Sequence, residues 1–284
     1  MQQIFKTTIL LALLTGIFMT IGYLVGGRTG AIMAFGIAAV MNFGMFWFSD
    51  KIVLKMQGAR PMKDHEHPEI VQMVRELTHA DKLPMPKLYI MDTPMPNAFA
   101  TGRSYNHAAV AVTTGIMEML TKDELKAVLG HELGHVKNRD MLVSTIAATF
   151  AGAIGFIAEI AFWTGGLFGG GDEEGDGPGA FIGTIAMIII APIAAMLIQM
   201  AVSRSREFLA DQHGKKLVGS GEDLANALRK LENFKHKVGP IQPSPTQEAT
   251  AHLMFTNPFT MSGLASLFST HPSTDQRVKR LTGR

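Results

Sequence analysis

The chain has 284 residues, of which 47% are hydrophobic and 18% charged, with 26 Lys and Arg against 24 Asp and Glu, and its mean hydropathy is +0.18. Average globular domains carry about a quarter charged residues, so intrinsic disorder is excluded and the apolar surplus belongs in long uncharged runs, while a net charge of +2 offers no basic field for nucleic acid. The absence of cysteine excludes disulfides, thiol chemistry and cysteine-held metals, and leaves His, Asp and Glu as the good metal ligands.

Between Lys6 and Arg28, and again between Arg28 and Asp50, the chain carries no charge. Each run reaches the roughly 20 helical residues that cross a bilayer core about 30 Å thick. Gly26, Gly27 and Gly30 supply a turn, so 1–50 reads as a transmembrane helical hairpin. The first run is too long, and too soon followed by the second, for a cleaved signal.

Residues 51–140 read as a soluble α+β segment. Pro68 to Ala80 fits an amphipathic helix with Ile70, Val71, Val74 and Leu77 on one face. Lys87 to Met91 and Ala108 to Thr113 fit short strands, with a turn region rich in Pro, Asn and Gly between them. Thr121 to Glu124 spells a capping box that opens a helix running into His135. A second transmembrane hairpin is expected over 141–203, from Met141 to about Trp163 and from about Ala180 to Ser203, around an acidic, Gly-rich loop. Residues 204–284 complete the soluble part, with Glu222 to Phe234 helical in pattern and Gly239 to Pro258 a proline-rich loop or flap. Lys51, Lys55, Arg60 and Lys63 follow the second span, Lys137 and Arg139 precede the third, and Arg204, Arg206, Lys215 and Lys216 follow the fourth. That bias places both termini and both soluble segments in the cytoplasm.

Inside the capped helix, His131, Glu132, Leu133, Gly134 and His135 spell H-E-x-x-H. Residues four apart on a helix differ by only about 40° in direction, so the two imidazoles share a face and can hold one zinc ion, with Glu132 beside its water. A catalytic zinc takes three protein ligands and leaves the fourth position open. Glu207 is expected as the third, and Asp211, on the same helix face, as the acceptor that holds a ligand imidazole in its metal-binding tautomer. Height selects this pair over a solvated ion-pairing face. If both helices run on into the third and fourth spans, His135 and Glu207 emerge about 9 Å and about 6 Å from the membrane ends, on helices about 8–10 Å apart.

HELGH, NAFATG (Asn97 to Gly102), SRSREFLAD (Ser203 to Asp211) and STHPST (Ser269 to Thr274), in this order and spacing, resemble the HtpX membrane metalloproteases of bacteria over essentially the whole chain. The wider family includes the larger CAAX prenyl proteases. The resemblance implies a mainly α integral membrane protein with four transmembrane helices. Its cytosolic α+β zincin-like domain is formed from segments on both sides of the second hairpin. It implies a zinc endopeptidase of the bacterial inner membrane, with one Zn²⁺ per chain, that cuts misfolded or damaged membrane proteins at the cytosolic face as part of a stress response. His131, His135 and Glu207 are then the ligands and Glu132 the catalyst. Asn97 is expected to touch substrate backbone, with the strand through Ala109 to Val112 offering an edge for strand addition. His271 is expected either to stabilise the oxyanion or to be a loop histidine held by Pro272, and Arg204 or Arg277 to be a supporting ion pair. A second metal at Asp64, His65, Glu66 and His67 is the lesser reading beside an exposed loop.

Polypeptide substrates and the lipid bilayer are the expected partners, without nucleic acid. Natural substrates and oligomeric state stay open. The rival reading, an ion or metal transporter, requires polar residues at mid-membrane depth, and none stands out in the four runs.

Overall fold

With glycine its strongest helix breaker, the apolar N-terminal run forms α1, Gln2–Met56, in the computed structural model, which describes residues 2–149, 204–239, 250, 253–255 and 272–283. The helix is broken at Gly26 and Gly27, where Gly27 takes φ 58°, a left-handed value that only glycine adopts without strain. Asn42 Nδ2 donates to Thr15 Oγ1 at 2.8 Å and to the Leu11 carbonyl at 3.3 Å, so the two halves lie side by side. A Cβ built on Gly30 would stand 2.1 Å from the Gly22 carbonyl oxygen, so the contact requires glycine.

Gly26–Met56, 31 residues at a hydropathy of 1.8, is the one helical stretch among the described residues long and apolar enough to cross a membrane, and only 6% of its apolar window is buried. Phe35, Ile37, Val40 and Phe43 are more than half exposed, unlike the side chains of a core helix in a soluble protein. The helix also runs six residues beyond the boundary expected at 50. Lys51 does not end the helix: Val53 and Leu54 are buried against Met91, Phe99, Ala109, Ala111 and Ala148. The spans expected over 141–203 lie outside the described residues, apart from helical residues 141–149.

After α1 the described residues form a four-stranded sheet and a set of helices. Its strands are β1 (Arg60–Pro61), β2 (Lys87–Met91), β3 (Ala98–Gly102) and β4 (Ala108–Thr113), in the order β1-β2-β4-β3. β4 pairs in parallel with β2 and antiparallel with β3. The edge expected at Ala109 to Val112 is therefore corrected: β4 is bonded on both sides, and β3, hidden in the stretch read as a turn region, is the edge strand. The small residues of β3 and β4 are wholly buried, which removed the apolar-polar alternation by which a half-exposed strand is recognised.

Helix α2 (Pro68–Asp81) buries Ile70, Val71, Val74 and Leu77 and stops at Lys82, φ 55°. After the short α3 (Thr114–Met119), α4 (Lys122–Asn138) opens on the full capping box, Thr121 Oγ1 accepting from Glu124 N and Glu124 Oε2 from Thr121 N. It ends at Arg139 in the left-handed conformation, φ 58°. The continuous helix expected from His135 into the third span is thus broken: Arg139 interrupts it, Asp140 stands 3.2 Å from His135 Nδ1 and a separate helical stretch starts at 141.

Helices α5 (Arg204–Val218), α6 (Glu222–Val238) and α7 (Thr274–Thr282) complete the set. α4 and α5 cross at close range because glycines meet there. A Cβ on Gly214 would lie 2.9 Å from the His131 amide nitrogen, and one on Gly134 would lie 3.1 Å from Ala210 Cα. Val128, Leu129, Leu133, Ile90, Val112, Leu224 and Leu228 fill the core beneath.

Candidate metal centre

That close crossing sets the site. α4 presents His131 and His135 one turn apart, and α5 presents Glu207 opposite them, all donor atoms lying within 4.8 Å of one another. The Nδ1 of His131 is 2.9 Å from Asp211 Oδ1 and the Nδ1 of His135 is 3.2 Å from Asp140 Oδ1. A carboxylate only accepts, so each Nδ1 carries the hydrogen and each Nε2 turns its lone pair inward. The two Nε2 atoms are 3.1 Å apart, with Glu207 Oε2 3.8 Å from His131 Nε2 and Oε1 3.5 Å from His135 Nε2.

Three such donors repel one another unless a cation stands among them. Donors about 2.0–2.1 Å from a tetrahedral zinc are themselves about 3.3 Å apart, close to the spacing found. Charge leads the same way. Four buried carboxylates, Glu132, Asp140, Glu207 and Asp211, face two buried guanidinium groups, Arg206 and Arg277. When all four are ionised two negative charges remain, which a divalent ion cancels. The residues present fit zinc.

Burial drives the titration of each group, and neighbouring charges decide where it ends. Burial lowers His131 to about 4, although Asp211 opposes it. Burial also disfavours charge on His135, but Asp140, Glu207 and Glu132 together outweigh it and raise the ring to about 10. One imidazole at most is protonated across the 3.1 Å gap, and the carboxylates draw positive charge to that spot. Burial raises the Glu132 carboxyl to about 7, the range of a group that can both take and return a proton. Burial would raise Asp211, yet the guanidinium of Arg277 overrides it and holds the carboxyl at about 2.

Glu132 also accepts a hydrogen bond from the Ala100 amide of β3. Thr113 N donates to the Asn97 carbonyl, which in an antiparallel ladder leaves the backbone groups of Ala98, Ala100 and Gly102 on the outer edge. Phe255 N donates to the Ala98 carbonyl at 3.1 Å, and Gly102 N donates to Thr145 Oγ1 at 3.3 Å. Asn97 is 4% exposed, and its Oδ1 accepts from Ala98 N and Phe255 N. Its side-chain oxygen thus serves the edge strand from within.

His271 lies outside the described residues. Of the two supporting cations expected, Arg277 binds Asp211 at 2.6 Å, while Arg204 is exposed. Among the described residues no second donor group gathers, at Asp64 to His67 or elsewhere. Sequence reasoning missed Asp140, although an acidic residue just past the end of a helix that carries a ligand histidine is the signal that would have found it. It also missed Phe255, whose ring stands edge-on to His131 with centroids 5.0 Å apart. No motif marks that residue.

Residues 64–284 match the family described as Peptidase family M48. A protein named Protease HtpX homolog from Persephonella marina is 49% identical over 276 residues, 97% of this chain and 95% of that one. Its namesake from Aquifex aeolicus is 51% identical over 269 residues, 94% of this chain and 88% of that one. The crystal structure of S. mikatae Ste24p superposes with a TM-score of 0.52 at 18% identity, a likeness of fold. It covers 99% of this chain, which spans 66% of that longer one, just under two-thirds.

Proposed function

We infer the reaction from one premise: the chain belongs to peptidase family M48. It is a membrane metalloprotease, and polypeptides are its substrates. We propose that it is a zinc-dependent endopeptidase in which His131, His135 and Glu207 hold the ion. The observation that carries this is the convergence of three metal-ligating side chains within 4.8 Å of one another, with a carboxylate on the Nδ1 of each imidazole.

A bound zinc supplies a water acidified towards a pKa of about 7 and a Lewis acid for the scissile carbonyl. Glu132 takes the proton of the attacking water and returns it to the leaving amine. Its carboxyl, raised by burial to about 7, suits both steps. The Ala100 amide aims that carboxylate, and the Ala100 carbonyl, on the same outer edge of β3, would accept from the backbone of an extended substrate. Backbone contacts tolerate many side chains, which supports broad cleavage. We further propose the following arrangement: 1–50 and 141–203 as two membrane hairpins, 51–140 and 204–284 as the cytosolic halves of the catalytic fold, and misfolded proteins of the bacterial inner membrane as the targets. The exposed apolar surface of Gly26–Met56 and the flanking lysines support it.

The test is proteolysis of an unfolded polypeptide by detergent-solubilised protein, with metal content measured in parallel. Glu132→Gln is expected to keep zinc and lose cleavage, and Glu207→Ala to lose both. A Glu132→Gln variant that still cuts at the wild-type rate would sink the assignment.

A further inference from the structure

The two histidines reach their supporting carboxylates differently. Asp140 follows His135 by five residues on the same chain, and the left-handed turn at Arg139 fixes where it stands. Asp211 comes from another helix and reaches His131 with Oδ1 alone. A carboxylate held through one oxygen can turn about its own axis and leave the imidazole. Arg277 prevents that. Its Nε donates to Asp211 Oδ2 at 2.9 Å and its Nη2 to Oδ1 at 2.6 Å, a two-point grip on the carboxylate plane.

The guanidinium is itself fixed. Nη1 donates to the Phe255 carbonyl at 3.3 Å, and the group lies over the Phe255 ring, 4.8 Å from its centroid. At 2% exposure Arg277 has no access to substrate. Its Nη2 is 3.4 Å from His131 Nδ1, but both atoms carry hydrogens when Asp211 accepts from each, so that contact is a consequence of the shared oxygen.

We propose that Arg277 is a positioning residue: by clamping both oxygens of Asp211 it fixes the rotation of His131 and keeps the Nε2 lone pair directed at the metal. The inference rests on the reading of His131, His135 and Glu207 as the ligands. The competing role is a buried charge that merely neutralises Asp211. Lysine separates the two, because an ammonium supplies the charge without the two-point fork.

The experiment measures zinc affinity of the full-length protein in detergent by competition with a chromophoric chelator. The d–d absorption spectrum of the cobalt(II)-loaded protein and the thermal melt of the metal-free protein are recorded alongside. Arg277→Lys is expected to melt near wild type, to bind zinc about tenfold or more weakly and to change the cobalt spectrum. Arg280→Gln, on the same helix but stacked on Phe208, is expected to leave affinity and spectrum unchanged. Asp211→Asn combined with Arg277→Lys is expected to weaken zinc no further than Asp211→Asn alone. If Arg277→Lys binds zinc and absorbs as cobalt like wild type, the residue is a neutralising ion pair, and if the variant fails to fold, the fork holds the fold together; either result overturns the proposal. A wild-type protein that binds neither ion would instead overturn the ligand assignment on which it rests.

Discussion

Two helix contacts in this molecule are closed by glycine, and they serve opposite chemistries. In α1, Gly22 and Gly30 bring two apolar half-helices together while Phe35, Ile37, Val40 and Phe43 face outward. At the crossing of α4 and α5, Gly130, Gly134 and Gly214 bring two polar helices together, and His131, Glu132, Glu207 and Asp211 are buried. Close backbone approach is thus a geometric device with no chemistry of its own. What lines the seam decides whether it exposes grease or gathers charge.

The largest expected effect lies on the charged seam. Glu132→Gln removes the proton carrier without opening the crossing, and cleavage should fall by about 10²–10⁴-fold with zinc content unchanged, read by peptide hydrolysis and metal analysis. Gly214→Val sharpens the comparison, because its side chain would push on the backbone of His131. It should cost about 1–3 kcal/mol in a thermal melt and weaken zinc binding as well. Gly30→Val makes the same insult in α1, 2.1 Å from a carbonyl oxygen. A similar loss of about 1–3 kcal/mol is expected with zinc affinity untouched. Equal zinc loss in both valine variants would break the distinction.

The smallest effect concerns the N-terminus of α4. Thr121→Ala should cost about 1 kcal/mol. Burial would raise the Glu124 carboxyl, but the bonds from Lys230 and from the Thr121 amide win and lower it below its ordinary 4.5. A depressed carboxyl stabilises the fold above its unfolded pKa, and the gain is lost as pH falls through the folded value. The melting gap between wild type and Glu124→Gln should therefore close as the pH drops below 4.5.

What could be read from the sequence followed period and charge. Ile70, Val71, Val74 and Leu77 marked α2 because one face of that helix meets water, and the capping box located α4 to within a residue. The His and Glu spacing was legible because a helix converts four residues into one direction. β3 was not legible: Ala98 to Gly102 is buried on both faces, and short small-residue strands carry no alternation. Asp140 was missed because its role depends on the helix break at Arg139, a non-glycine residue in a conformation that residue type rarely announces. Phe255 reaches the site through a backbone amide and carbonyl that every residue possesses, and through an apolar ring that carries no motif.

The edge strand carries one last implication. Along β3 the Ala98 carbonyl is taken by Phe255, the Ala100 amide by Glu132 and the Gly102 amide by Thr145. An unpaired strand margin is an invitation to sheet growth between molecules. Here much of the margin is taken by neighbours of the same chain and the Ala100 carbonyl is left over, so the edge offers one molecule little template on which another could stack into fibres.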